Sequence, residues 1–329
     1  MRIALDAMGG DHAPAEIVAG AVRAARAWPD THFILVGKED QVTALLEEER
    51  LTNISYRATT EVIEATDEPV RSVRRKKDSS MVVGCQMVRA GEADAFVSAG
   101  NTGALMAAGL FYTGRLKGID RPALAPMFPT VDGRGILVLD VGANIDPRPQ
   151  HLQQYALMGS IYMEKARGVA NPRIGLLNIG AEAGKGNELT KQTYELLEQE
   201  EKIRFVGNVE AREVLQGPCE VVVCDGFSGN ILLKSAEGMG SILLKGITQE
   251  FTRNALTKGA AFILKKGLKR FLKEMDYREY NGAMLMGLKG VVVKAHGSSD
   301  AHEFMIAIRR TREIVQGQVV SKISESLAT

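Results

Sequence analysis

The chain is short of several things, and each shortage closes off a class of protein. It has three cysteines, Cys85, Cys219 and Cys224, in 329 residues. That number and spacing build neither a disulfide framework nor a thiolate metal site, and they suit a reducing compartment. The net charge is only +1. Without a basic excess, no nucleic-acid partner is expected. No uncharged apolar run reaches the ~18–20 residues of a membrane span. Asp6 falls too early for a secretory leader, so none is expected.

What is present is an ordinary soluble composition, 45% hydrophobic and 25% charged. The length allows two lobes or one large elaborated α/β unit. The stretch ADAFVSAGNTGALMAAGLFYTGR, 93–115, sets the pattern for the rest. A buried strand over Ala95–Val97 turns at Gly100-Asn101-Thr102-Gly103 into an apolar helix. Glycines beside a helix start let backbone N–H groups point into a cleft where an anion can take them.

Five other apolar runs end the same way. Ile3–Asp6 leads into AMGGDH, Ile136–Asp140 into VGAN, and Ile174–Asn178 into IGAEAGKGNE. Val221–Asp225 leads into GFSGN, and Val291–Lys294 into AHGSSD. Near-continuous apolar strands separated by helices predict a mostly parallel sheet covered on both faces, with its ligands at the carboxyl edge. Asn follows Gly at 100–101, 186–187 and 229–230, where it can cap a helix or donate to an anion.

Several local readings stay open. His12 in the first turn is a general base, a phosphate donor or a surface histidine. Residues 69–90 read as one helix carrying Arg71, Arg74, Arg75, Lys76 and Lys77. That basic run is either a solvated face or a dock for an acidic or phosphate-bearing partner. The GAEAGKGNE loop fits neither G-x-x-x-x-G-K-[ST] nor G-x-G-x-x-G, which leaves a glycine-flanked Lys185 able to meet phosphate. Asp140 and Asp225 end similar strands and either face a shared cleft or bond their own turns. Residues 256–275 form a basic amphipathic helix, with Leu264, Leu268, Phe271, Leu272 and Met275 on one face and Lys265, Lys266, Lys269, Arg270 and Lys273 on the other. Such a helix lies on an anionic membrane, or packs on a core or second subunit. Residues 277–290 read as a Gly/Met-rich connector, and a polar tail is expected after a last helix at about 300–316.

Read together, MRIALDAMGGDHAP, SAGNTGALMAAGLF, GIDRPALAP, LDVGAN, NIGAEAGKGNE, GNVEAR, VVVCDGFSGNILLK and GLKGVVVKAHGSSD resemble the bacterial phosphate acyltransferases of phospholipid synthesis, the PlsX family. The resemblance runs from Met1 to about Arg310. It implies transfer of a long-chain acyl group from acyl-[acyl-carrier-protein] to inorganic phosphate, yielding acyl phosphate for glycerol-3-phosphate acylation, with no cofactor and no metal. It also implies a three-layer α/β/α, mostly parallel Rossmann-like fold, like that of phosphotransacetylases and isopropylmalate-type dehydrogenases. One elaborated domain over 1–329 is expected, with a protruding helical region at about 240–275 for dimer and membrane contact. The implied setting is a cytoplasmic homodimer resting on the inner face of an anionic membrane or on a membrane-bound glycerol-3-phosphate acyltransferase. Pro147 and Ala181-Glu182-Ala183 depart from the family pattern, in which cysteine and a more acidic loop are common.

On this reading Lys185, His296, Asn230 and Asp225 are the expected catalytic residues. Phosphate or acyl phosphate is expected at Gly10, Asp11 and His12, at Asn101, Thr102 and Gly103, at Asn144 and Asn187, and at Ser228, Gly229, Ser298 and Ser299. The 71–77 run gains acyl carrier protein as a partner. A short-chain phosphotransacetylase using coenzyme A is the nearest rival. A decarboxylating dehydrogenase lacks its metal carboxylates, and a non-enzymatic membrane adaptor leaves the polar turns without a purpose.

Overall fold

The computed structural model describes residues 1–47, 49–274 and 277–328, and within the helix over Ala255–Glu274 the side chains only at 255–264 and 267. The chain begins β1 (Arg2–Asp6), α1 (Ala15–Ala27), β2 (His32–Gly37), α2 (Glu39–Leu46), β3 (Ile54–Ala58), α3 (Pro69–Arg75), α4 (Ser80–Ala90) and β4 (Ala95–Ser98). It continues with α5 (Thr102–Ala108), which runs into a π-helical turn over Gly109–Thr113, then β5 (Ala123–Ala125), β6 (Met127–Phe128), β7 (Ile136–Leu139), α6 (Pro149–Arg167), β8 (Arg173–Asn178) and α7 (Glu188–Glu198). The remainder is β9 (Arg204–Glu210), β10 (Val221–Val223), α8 (Gly226–Thr252), α9 (Ala255–Glu274), β11 (Ala283–Met286), β12 (Val291–Lys294), α10 (Ala301–Gln316) and α11 (Val319–Ala328).

The strands form two sheets, in the orders β3-β2-β1-β4-β12-β11-β5 and β6-β7-β10-β8-β9. Pairing is parallel except at β11 and β6. The side chains of the central strands alternate between two cores. Ile3, Leu5, Ala95, Val97, Val221, Val223, Val291 and Val293 enter one, while Ala4, Phe96, Val222 and Val292 enter the other. Two-residue alternation into two buried layers is why these runs are apolar throughout. The first core is continuous across both sheets and takes in α1, α6 and α10.

The sequence-based expectations need four corrections. The six strand ends divide between two sheets, three adjacent strands in each: β1, β4 and β12, then β7, β10 and β8. The helix expected over 69–90 breaks after Arg75, where Lys76 turns inward and Asp78 accepts from the Thr60 amide and hydroxyl. The 277–290 connector contains β11, a fully buried strand whose alternate residues feed the two cores. The supposed polar tail is α11, which buries Val319 and Ile323 at four-residue spacing.

α8 and α9 make a long hairpin. The 27 residues of α8 span ~40 Å, and beyond its first turns nearly every residue is exposed. Leu264 is exposed; the side chains of Lys265, Leu268, Lys269, Phe271 and Leu272 lie outside the described ones. No described helix is long and apolar enough to cross a membrane.

Candidate active site

Three parallel neighbours of the first sheet, β1, β4 and β12, end side by side at Asp6, Ser98 and Lys294. Asp6 is buried and accepts from Ser98 Oγ at 2.6 Å and from the Met8 amide at 3.2 Å. Burial pushes its carboxyl above the usual range, against hydrogen bonds from Ser80, Ser98 and Met8 and the charge of Lys294. Ser98 Oγ in turn accepts from the Gly100 amide at 3.0 Å.

The loops after these strands interlock. The Asp11 amide donates to the Gly297 carbonyl at 2.8 Å. Gly10 sits at φ +117°, and a Cβ there would lie 3.1 Å from both Ala99 Cβ and the Gly297 oxygen. Both the positive φ and the close approach require glycine.

Lys294 is only 9% exposed, and its ammonium donates to the carbonyls of Ala99, at 3.2 Å, and Ala295. Burial pushes it down to about 8; Asp11 and Asp6 oppose the fall, and Lys234 adds to it. Two residues on stands His296, half-exposed. Its Nδ1 lies 2.9 Å from Ser298 Oγ, its amide donates to Asn281 Oδ1 at 3.0 Å, and its Nε2 faces Glu237 Oε1 at 3.8 Å. Glu237 also pairs with Lys234 at 2.7 Å. Burial lowers the His296 pKa, as do Lys294 and Lys234, while Glu237 and Asp11 raise it. The result is a floor of two lysines and a neutral imidazole, edged by two carboxylates.

Lys234 and Glu237 come from α8, which is anchored on the second sheet. The Gly226 amide donates to the Asn144 carbonyl at 2.8 Å, and a Cβ on Gly229 would lie 1.9 Å from the Asp140 oxygen. α8 therefore starts against the ends of β7 and β10 and reaches the end of β12 two to three turns later. The two groups of strand ends open onto one helix.

The expected site residues separate accordingly. Gly10, Asp11, His296, Ser298 and Ser299 come together with Lys294, although Ser299 is buried, donating to the His296 carbonyl and accepting from Asn281. His12 lies exposed beside them. Asn230, Ser228 and Gly229 form the first turn of α8, whose N-cap is Asp225, accepting from the Ser228 amide at 2.8 Å. Lys185 and Asn187 stand on an exposed loop that Asn178 and Asn208 hold through the Lys185 and Glu182 carbonyls, with Asn187 capping α7. Asn101 caps α5 through Oδ1 and gives its amide group to Ala65 and Asp67, so its expected anion contact is displaced by the fold. Asn144 is corrected in the same way: buried, it bonds Pro122, Tyr155 and Asp140. Thr102 is exposed and Gly103 packs on Pro69. Asp140 is committed to the amides of Leu124, Ala143 and Asn144.

Of the basic run, Arg71, Arg74, Arg75 and Lys77 are exposed. Lys76 is not part of that face: it reaches inward to Asp67 and the Val62 carbonyl. Arg74 lies 5.2 Å from the Phe111 ring centroid, beside exposed Val70 and Leu110.

A family model described as fatty acid synthesis protein matches residues 1–322. The chain is 55% identical over 325 residues to a phosphate acyltransferase of Bacillus cereus, covering 98% of this chain and 97% of that protein. It is 56% identical over 327 residues to a phosphate acyltransferase of Geobacillus thermodenitrificans, covering 99% of each. Its fold is similar to that of the EutD phosphotransacetylase from Staphylococcus aureus, with a TM-score of 0.61, 18% identity, and coverage of 97% of this chain and 94% of that one. The chain is thus an enzyme of lipid biosynthesis and belongs to the fatty acid synthesis protein family, as a PlsX-type phosphate acyltransferase.

Proposed function

We propose that the protein transfers a long-chain fatty acyl group from acyl-[acyl-carrier-protein] to inorganic phosphate, forming acyl phosphate for phospholipid synthesis. The observation that carries this reading is the convergence of Lys294, Lys234 and His296 at the carboxyl edge of three parallel strands. Phosphate is a competent oxygen nucleophile at neutral pH, so no activated serine or cysteine is required. The cations hold the dianion against the thioester carbonyl, an orientation effect worth up to roughly 7–11 kcal/mol in model reactions. A phosphate oxygen bonds to the carbonyl carbon, the oxyanion forms, and the C–S bond breaks to release the carrier thiolate, which takes up a proton. Each well-placed donor to the oxyanion contributes ~3 kcal/mol. His296 Nε2, the Lys234 ammonium and the exposed Asn230 are the side chains suited to donate, while Lys185 is held on the loop after β8.

Acyl carrier protein docks, on this reading, on exposed Arg71, Arg74, Arg75 and Lys77 and on apolar Phe111. The α8–α9 hairpin supplies homodimer and membrane contacts, because it leaves Ile242, Leu256, Phe262, Ile263 and Leu264 in solvent. The protein then works in the cytoplasm, held peripherally on the inner membrane face or on the membrane-bound glycerol-3-phosphate acyltransferase that consumes its product.

The direct test is thiol release from palmitoyl-carrier protein with and without inorganic phosphate, trapping product with hydroxylamine. Phosphate-dependent release with a trappable acyl phosphate is expected. No release there, but turnover of acetyl-coenzyme A, would move the function to short-chain phosphotransacylation.

A further inference from the structure

Four large apolar side chains stand in solvent at the carboxyl edge of the second sheet. Ile145 is 69% exposed, Ile179 82%, Phe227 58% and Ile231 51%. They follow three adjacent strands. Val223 of β10 lies opposite both Leu139 of β7 and Leu176 of β8, and the chain leaves those strands towards Phe227, Ile145 and Ile179 respectively. The bond from the Gly226 amide to the Asn144 carbonyl brings the next residues, Phe227 and Ile145, alongside one another. Covering one such side chain contributes roughly 1.5–3 kcal/mol, so their gathering here calls for an occupant.

The direction of the strip identifies that occupant. Phe227, Ile231 and Lys234 have the i, i+4, i+7 spacing of one helix face. The opposite side of α8 buries Gly226 and Gly229 and packs Leu232 and Leu233 on the core. Followed along α8, the exposed face passes over Phe227 and Ile231 and arrives, ~10 Å on, at Lys234, paired with Glu237 beside His296. An apolar strip ending at cations and an imidazole has the polarity of an acyl thioester, with hydrocarbon at one end and the reacting carbonyl at the other. A protein surface seated there would instead close off the reacting end.

We propose that Ile145, Ile179, Phe227 and Ile231 bind the hydrocarbon chain of the acyl donor, which lies along α8 with its carbonyl at the Lys234–His296 end. This rests on the acyl-transfer reading above and adds the surface that senses chain length. None of the four is part of the reaction cluster, so their loss weakens binding of long chains while leaving the phosphate step intact.

The test compares butyryl-, octanoyl- and palmitoyl-carrier protein as donors to inorganic phosphate, with wild type, Phe227→Ala, Ile179→Ser and the double variant. Wild-type turnover of the palmitoyl donor is measured first; its absence sinks the acyl-transfer reading, and this proposal with it. Given that turnover, each single variant is expected to lower kcat/KM for palmitoyl donor about tenfold, the equivalent of ~1.4 kcal/mol of lost burial. The loss shrinks with chain length and the KM for phosphate stays unchanged, so the slope of log kcat/KM against chain length flattens. An equal loss on all three donors, or no loss, overturns only this proposal. A change of oligomeric state in sedimentation, with the chain-length slope intact, assigns the strip to contact between copies and overturns it too. Ile145→Ser, on a different element, repeats the comparison should either first variant fail to fold.

Discussion

The Lys294 ammonium donates to the backbone oxygen of Ala99 at 3.2 Å, joining residues 195 positions apart in sequence. With its bond to the Ala295 carbonyl, it fixes the loop after β4 against the end of β12 and leaves a buried positive charge at their junction. Lys294→Met is therefore expected to lower kcat/KM for phosphate by ~10²–10³-fold. The fold tolerates it, because the cost of two carbonyls losing a donor is offset by removal of a buried charge. Steady-state kinetics beside a thermal melt measure both, and wild-type kinetics would end the anion-binding role.

The same group sets a pH dependence. Burial holds Lys294 at about 8 against an ordinary 10.5. Between those values the unfolded chain keeps a proton that the folded chain has shed, so this group makes stability rise with pH across that window. Phosphate binding needs the charged form and runs the other way. The KM for phosphate is expected to climb as pH passes about 8, where phosphate itself is already a dianion. Lys294→Met should flatten that climb; if the climb persists in the variant, another group causes it.

His296 gives the acid side. Its burial and the two lysines keep the imidazole below its ordinary value, and hence neutral at pH 7, while Glu237 pulls it up. An acid limb in kcat/KM is expected below pH ~6.5. Glu237→Gln removes the carboxylate that favours the protonated ring, so it moves that limb to lower pH. His296→Asn lowers the rate by ~10²-fold without unfolding the protein. A limb that ignores Glu237→Gln would reduce His296 to a turn residue bonded to Ser298.

Much of this was legible in the sequence, and what was not has physical causes. The strand ends were readable because parallel strands buried on both faces must be apolar throughout, and the turns after Asp6, Ser98 and Lys294 stood out against them. His296 and Gly10 were visible as unusual residues in those turns. Lys294 was not, because a lysine closing VVVK resembles any strand end whose charge escapes to water; only the fold reveals that Asp6 and Ala99 enclose it. Glu237 lies in mid-helix and has no local signature. Asn101 and Asn144 could have served caps or ligands equally, and tertiary partners far away in sequence made them structural. β11 was hidden because its glycine- and methionine-rich surroundings carry no strand periodicity.

On the proposed reading, carrier docking should be separable from folding within one basic run. The double variant Arg74→Glu, Lys77→Glu reverses two exposed charges and is expected to raise the KM for carrier substrate about tenfold, leaving that for phosphate unchanged. The rise should diminish at high salt. Lys76→Ala, which breaks the inward pair with Asp67, should lower the melting temperature with little effect on carrier KM. Equal effects of the double variant on both substrates would remove the docking role.

The hairpin offers a test on described side chains. Leu264 and Phe262 stand 54% and 78% exposed on α9. Residues two apart point to different sides of a helix, so Leu264→Glu and Phe262→Glu each place a negative charge on a separate exposed side of α9. On the membrane-facing side, co-flotation with anionic vesicles should be lost while soluble turnover persists. Retained flotation together with a lowered mass in sedimentation would assign these side chains to a contact between copies of the chain instead.

The geometry of α8 makes two glycine substitutions act in opposite directions. A Cβ at Gly229 would lie 1.9 Å from the Asp140 oxygen and 2.9 Å from Cys224 Sγ. The first is backbone, tied into the β7–β10 junction through the Asp140 amide and the Cys224 carbonyl, and it cannot move aside. Gly229→Ala should destabilise by ~3 kcal/mol or more. It should also lower activity, because shifting the start of α8 carries Lys234 and Glu237 away from His296. At Gly238, two to three turns along the same helix, a Cβ meets nothing within 4 Å. Gly238→Ala there gains helix propensity and should stabilise by ~1 kcal/mol. Thermal melts of the pair decide the matter: shifts of the same sign would mean that α8 is not seated on Asp140 as described, and that the two sheets do not share one helix across the cleft.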